Sequence, residues 1–219
     1  FIMHKNVNNL VAIINLLKQK TNKEIIPKVI AVSKTFPITE IIPLIEYGHI
    51  DFGENKVQEA LNKWPEIKNN YKNINLHMIG KLQTNKVKFI LPLFDYLHSL
   101  DNLKLAKKIS LEQHKSKKKL KIFIQVNIGN EDQKSGVNVS YLKEFYSICS
   151  KELNLNIIGL MCLPPNDDKT KIYFSQVQKL NEELGLKELS LGMSGDFLEA
   201  INVGSTFLRI GSKIFGNRF

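Results

Sequence analysis

Cysteine is almost missing from this chain: only Cys149 and Cys162 occur in 219 residues, and neither stands in a CxxC or Cys/His grouping. That excludes a disulfide framework and any zinc site of the usual ligand spacing, and it points to two buried apolar side chains. Arginine is as scarce, with Arg209 and Arg218 the only two among 31 basic residues. Lysine is therefore the default surface cation, and an arginine inside an apolar segment needs a reason. No apolar run approaches the roughly 20 residues that a bilayer crossing requires. Charge and Asn begin at His4, Lys5 and Asn6, where a signal peptide would carry its apolar stretch. A cytoplasmic protein with no membrane partner is expected. No GxGxxG follows the first apolar run and no Walker sequence occurs. No linker, low-complexity tract or repeat divides the chain, so residues 1–219 read as one domain.

What is present is an ordinary globular composition, 43% hydrophobic and 24% charged, with a net charge of +10. The positive charge is spread through every segment. Its one dense run, Lys115 to Lys121, contains no aromatic residue to stack on bases, so it reads as a solvated helix end and no nucleic-acid partner is expected.

Eight short apolar runs recur: Val29 to Ser33, Ile50 to Phe52, Leu76 to Gly80, Tyr96 to Leu100, Ile122 to Ile128, Ile157 to Leu163, Leu189 to Met193 and Phe207 to Ile210. Several are continuous rather than alternating, the pattern of strands buried on both faces of a parallel sheet. Helical stripes fill the gaps, as at Val57, Ala60, Leu61 and Trp64, at Leu142, Phe145, Ile148 and Cys149, and at Tyr173, Val177, Leu180 and Leu184. Thr39, Asp101, Ser140 and Asp168 stand where N-caps belong, and Gly48, Gly185 and Gly204 stand just past helix ends. The third unit, Gln83 to Leu91, is short. A further stripe at Val7, Leu10, Val11, Ile14 and Leu17 predicts a helix ahead of the first strand. The pattern predicts an α/β fold, a (β/α)8 TIM barrel with an extra N-terminal helix, and the alternative is a doubly wound open sheet.

In a barrel the chemistry gathers where strands end. Lys34 follows the first run directly. An amine of ordinary pKa, about 10.4, is neutral in roughly one molecule in two thousand at pH 7, and desolvation at a barrel mouth raises that fraction toward what attack on an aldehyde needs. A strand-end lysine that simply reaches solvent gives the same sequence. After the seventh run, Gly192-Met193-Ser194-Gly195-Asp196 opens a helix through Phe197, and Gly211-Ser212 follows the eighth. Glycines and serines there let backbone N–H groups approach a phosphate, though Gly-Ser pairs also make plain turns. By strand alternation Arg209 faces opposite to Leu208 and Ile210; if those two pack against helices it enters the barrel, where it needs a partner, and a salt bridge to an acid such as Glu54 is one choice.

These residues fall within longer motifs: Ala31-Val32-Ser33-Lys34-Thr35, Phe52-Gly53-Glu54-Asn55, His77-Met78-Ile79-Gly80-Lys81-Leu82-Gln83-Thr84-Asn85-Lys86, Lys134-Ser135-Gly136, Leu191-Gly192-Met193-Ser194-Gly195-Asp196 and Arg209-Ile210-Gly211-Ser212. In order and spacing, from about residue 29 to Arg218, the chain resembles the pyridoxal phosphate homeostasis proteins, whose barrel is like the N-terminal domain of bacterial alanine racemase. The resemblance implies pyridoxal 5′-phosphate (PLP) as cofactor, held as a Schiff base on Lys34. It implies that Ser194, Gly211 and Ser212 hold the phosphate, that Arg209 lies near the pyridine nitrogen, and that Asn55 and His77 line the mouth. Lys56 and Met78 depart from the aromatic residues that the family usually carries there.

The expected role is a carrier of PLP in vitamin B6 and amino-acid homeostasis, acting as a monomer that delivers to PLP-requiring apoenzymes, rather than an enzyme. An arginine beside the pyridine nitrogen weakens the ring as an electron sink. The sequence ends at Phe219, soon after the eighth run, leaving no expected second domain to supply an opposing base. A weak PLP-dependent amino-acid racemase is the alternative.

Overall fold

The computed structural model describes residues 3–21, 26–131 and 134–217, so Arg218 lies outside the described residues. The strands are β1 (Lys28–Val32), β2 (Asp51–Glu54), β3 (Asn75–Met78), β4 (Tyr96–Leu100), β5 (Lys121–Asn127), β6 (Val137–Asn138), β7 (Ile157–Cys162), β8 (Glu188–Met193) and β9 (Phe207–Ile210). All pairings are parallel. Seven of them link β4-β3-β2-β1-β9-β8-β7-β5 in series, and β4 also pairs with β5, so the sheet closes on itself. The open doubly wound sheet is excluded, and the fold is the expected eight-stranded α/β barrel. The two-residue β6 is an addition, hung on β5 through Val126 and Val137. All eight expected runs became barrel strands, with ends displaced by at most two residues.

Helices α1 (Lys5–Lys20), α2 (Ile38–Glu46), α3 (Val57–Asn70), α4 (Val87–Ile90), α5 (Leu103–Ser116), α6 (Val139–Ser147), α7 (Thr170–Glu183), α8 (Phe197–Asn202) and α9 (Ser212–Phe215) surround the barrel. The short third unit is a 3₁₀ turn, Thr84–Lys86, followed by the single turn of α4. The expected N-terminal helix has a definite task. Among the described residues β9 is followed by the one-turn α9, and α1 packs against both α9 and α2. Asn6 donates to the Glu40 carboxylate at 2.7 Å and to its carbonyl at 3.0 Å, while Asn9 donates to the Ile214 carbonyl at 2.8 Å. Val7, Leu10, Ile13 and Leu17 thereby join the main core between strands and helices.

The cap assignments divide. Gly48, Gly185 and Gly204 each sit at positive φ just beyond α2, α7 and α8, as a left-handed helix terminus requires. The N-caps are displaced: Pro37, Asn102, Asn138 and Lys169 hold those positions instead of Thr39, Asp101, Ser140 and Asp168. Asn102 accepts from Leu105 N at 2.9 Å, whereas the Asp101 carboxylate is engaged by Gly136 N and by the Asn102 amide. The lysine run does form a helix end, since α5 stops at Ser116 and Lys117 turns left-handed. No described helix is long and apolar enough to cross a membrane.

Side chains facing into the barrel form a second, separate cluster of Ile30, Tyr96, Phe123, Met161 and Phe207. Among them lie the buried polar residues His77, His98, Ser190 and Arg209. The barrel is therefore filled, not a pore, and any ligand must sit above this column.

Candidate functional site

A cavity of about 670 Å³ opens where the strands end, after β1, β2, β3, β7, β8 and β9. Lys34, Asn55, Ser194, Arg209, Gly211 and Ser212 all line it, brought together from positions as far apart as 34 and 212. Val32, Phe36, Ile79 and Leu163 add apolar walls.

Lys34 is partly buried at the end of β1. The chain turns sharply there because Thr35 takes a left-handed conformation (φ 68), unusual for a β-branched residue. Its N–H donates to the Glu59 carboxylate at 2.5 Å. Behind the turn a charged cluster fixes Ser33. Glu54, fully buried, accepts from the Ser33 hydroxyl (2.7 Å), from Trp64 Nε1 (2.9 Å) and from Lys63 Nζ (2.8 Å). Lys63 also donates to the carbonyls of Ser33 and Phe36. The backbone on both sides of Lys34 is thus tied to α3.

Asn55 follows β2, and its Oδ1 is buried without a hydrogen-bond partner. The β3 loop passes it so closely that a Cβ on Gly80 would stand 2.2 Å from the Asn55 carbonyl oxygen, so only glycine fits. Opposite, Gly192 at φ 90 and the Asp196 carboxylate, which accepts from Met193 N at 2.6 Å, shape the turn that presents Ser194. The Ser194 hydroxyl oxygen accepts from the N–H groups of Gly211 and Lys213, each at 3.3 Å. Two backbone donors and a hydroxyl therefore converge on one point of the rim, as an anion cradle needs.

Arg209 enters the barrel as alternation requires, with Leu208 and Ile210 packed outward in the main core. Its salt bridge to Glu54 does not form, because Glu54 points out of the barrel to Lys63. Instead Arg209 Nη1 donates to the Ser190 carbonyl (2.7 Å) and hydroxyl (2.6 Å), and Nη2 donates to the Cys162 carbonyl (2.9 Å). Burial lowers its pKa to about 10, which leaves it a cation at neutral pH. His77 is a correction: it does not line the mouth. It is fully buried in the barrel column, stacked on Tyr96 at 4.2 Å and bonded to Asp51 and His98. Its side chain follows the inward face of β3 one layer below the cavity, where Ile79 takes the lining position. Cys149 and Cys162 are buried as expected, with burial pushing both thiols up to about 12.

The alanine racemase N-terminal domain family matches residues 6–218. A pyridoxal phosphate homeostasis protein of Aquifex aeolicus is 38% identical over 200 residues, covering 87% of each chain. One from Vibrio cholerae is 35% identical over 227 residues, covering 99% of this chain and 96% of its own. The chain belongs to the pyridoxal phosphate homeostasis protein family. Among solved structures, PipY of Synechococcus elongatus, with PLP bound, is 29% identical with a TM-score of 0.86, covering 96% of this chain and all of PipY. Of the two departures from the family pattern, Met78 is buried in the outer core, away from the cavity, and Lys56 is an exposed residue at the start of α3.

Sequence reasoning missed the residues that support the site from behind: Lys63, Trp64, Asp51, His98 and Ser190. One signal was available. Lys63 lies within the apolar stripe of α3, between Ala60 and Ile67, where a surface lysine does not belong. The histidine contacts join β2, β3, β4 and β8 and leave no local pattern.

Proposed function

We propose that this chain binds PLP in the cavity above the barrel column, links it as a Schiff base to Lys34, and serves as a carrier in PLP homeostasis. The observation that supports it most is the convergence on one cavity of a strand-end lysine, a buried arginine and a rim of backbone donors. The cavity volume lies in the range of small-molecule sites. The residues present fit the cofactor. The N–H groups that now reach Ser194 Oγ are those a phosphate would use, the unpartnered Asn55 Oδ1 offers an acceptor, and Arg209 offers its guanidinium to a ring nitrogen. When bound, PLP supplies an aldehyde carbon and an electron-withdrawing ring. The chain's part is to present an amine, seat the phosphate and hold a cation at the ring.

A carrier is favoured over a racemase by what surrounds the amine. Among the described residues that line the cavity, Lys34 and Arg209 are the only titratable side chains, and an Arg beside the pyridine nitrogen opposes its protonation. Exchange at Cα would then lack both a second base and a strong electron sink. Delivery as a monomer to apoenzymes in the cytoplasm completes the proposal. Reduction of the PLP-loaded protein with borohydride, followed by peptide mass spectrometry, is expected to place the adduct on Lys34. Lys34→Ala is expected to lose the yellow chromophore, and a label on another lysine would overturn the assignment. Solvent-deuterium exchange at Cα of added amino acids would instead establish the racemase.

A further inference from the structure

From Arg209 a continuous line of polar side chains that the function above does not use runs down the barrel interior. Arg209 Nη1 meets Ser190 Oγ at 2.6 Å, Ser190 Oγ meets His98 Nδ1 at 2.8 Å, His98 Nε2 meets His77 Nδ1 at 3.0 Å, and His77 Nε2 meets Asp51 Oδ1 at 3.0 Å. Asp51 begins β2, so the line runs from the floor of the cavity to the opposite end of the barrel. We propose that Asp51, His77, His98 and Ser190 are positioning residues, a one-way hydrogen-bond chain that fixes the Arg209 guanidinium under the cofactor ring.

The direction follows from the two ends, whose roles cannot vary, and from burial, which keeps both imidazoles neutral. A carboxylate only accepts, so His77 carries its one proton on Nε2 and donates to Asp51, which also accepts from Asn75 Nδ2 at 3.1 Å. His77 Nδ1 is then an acceptor, so His98 carries its proton on Nε2 and donates to it. His98 Nδ1 accepts in turn from the Ser190 hydroxyl, whose oxygen accepts from the Arg209 guanidinium. Burial first, and then His77 and Arg209 nearby, hold His98 well below its ordinary pKa. Burial also lowers His77, against the pull of Asp51 and Asp95 and with that of Lys28.

Each ring is further locked by stacking, His77 on Tyr96 and His98 on Phe123 at 4.4 Å. No carboxylate among the described residues lies within ion-pair distance of Arg209. The chain thus stands in for one, orienting successive dipoles from the buried cation toward Asp51. Arg209 is held by a fixed acceptor at the floor of the cavity.

The direction of the chain stands on the geometry and burial of its members, and its effect on PLP rests on the function proposed above; the two are tested separately. Imidazole 15N NMR of the full chain without cofactor, near neutral pH, is expected to show His77 and His98 as neutral Nε2–H tautomers. Either ring found as Nδ1–H or as a cation overturns the proposal. In the PLP-loaded protein, Ser190→Ala and Asp51→Leu are expected to shift the absorption maximum and weaken PLP binding about tenfold, the scale of one hydrogen bond to a charged group. Asp51→Asn, which keeps an acceptor for His77, is expected to restore both. Variants that melt earlier but keep the wild-type maximum and affinity would reduce the chain to scaffolding and overturn it. Should Asp51→Leu fail to fold, Ser190→Ala carries the same comparison. If the wild-type chain takes no PLP on Lys34, the proposed function fails while the NMR result still judges the chain.

Discussion

Glu54 and His77 stand on neighbouring strands, both fully buried, and meet burial in opposite ways. Glu54 points outward to α3 and is matched by Lys63 and two neutral donors, while its Oε2 has no partner. His77 points into the barrel and gives up its charge; the charged groups stand only at the two ends of its line. The wall cluster anchors backbone beside Lys34, and the interior line aims a side chain. A local ion pair suits the first task because Lys63 reaches four groups at once, the Glu54 and Glu59 carboxylates and the Ser33 and Phe36 carbonyls. A chain of neutral groups suits the second because the barrel axis has no room for water to screen a charge.

The largest test of this contrast removes the wall cation. Lys63→Met leaves Glu54 buried and uncompensated and is expected to destabilise the fold by about 3–5 kcal/mol, read as a lower urea midpoint. Adding Glu54→Gln is expected to recover much of that loss; no recovery would mean that the charge is not the issue. His98→Leu breaks the interior line without stranding an ionised partner in contact with it. A smaller loss of about 1–3 kcal/mol is expected from the unpaired Ser190 and His77 groups. A loss equal to that of Lys63→Met would erase the distinction between the networks.

Acidification separates them further. The imidazoles of partly buried His49 and of buried His77 and His98 have pKa values lowered from the ordinary 6.5, chiefly by removal from water. The unfolded chain therefore takes up protons that the folded one refuses, and stability falls as pH drops below about 6.5, by up to ~1.4 kcal/mol per pH unit for each histidine. His98→Leu is expected to flatten this slope, and Lys63→Met to leave it as it is, in melts recorded between pH 7 and pH 5. Asp51 adds its own acid-side loss only lower, because hydrogen bonds outweigh burial and hold its carboxyl below the ordinary value.

The smallest effect belongs to the rim, which is part of neither network. A Cβ on Gly211 would meet Val32 at an ordinary 3.5 Å. Gly211→Ala is expected to change stability by no more than about 0.5 kcal/mol. It would weaken PLP binding severalfold by crowding the phosphate, as an equilibrium titration would show.

The barrel was legible because each strand is a closed apolar run and each helix a stripe, and both periodicities are local. Lys34, Ser194, Arg209, Gly211 and Ser212 were legible because a barrel makes strand ends meet, so position in a run already implies position in space. His77 was misplaced since a strand end seen in sequence does not tell which layer of the column a side chain fills. Glu54 was offered to Arg209 because alternation gives a face but not a partner.

By itself the sequence determined the number and order of the barrel strands, the early helix, and a set of chemically suited residues at strand ends. Only the tertiary structure decided that Glu54 faces Lys63 while His77, His98 and Ser190 line up under Arg209. The reason is physical: hydrogen bonds between strands far apart in the chain depend on register and on closure of the sheet, and neither leaves a trace in any short stretch of residues.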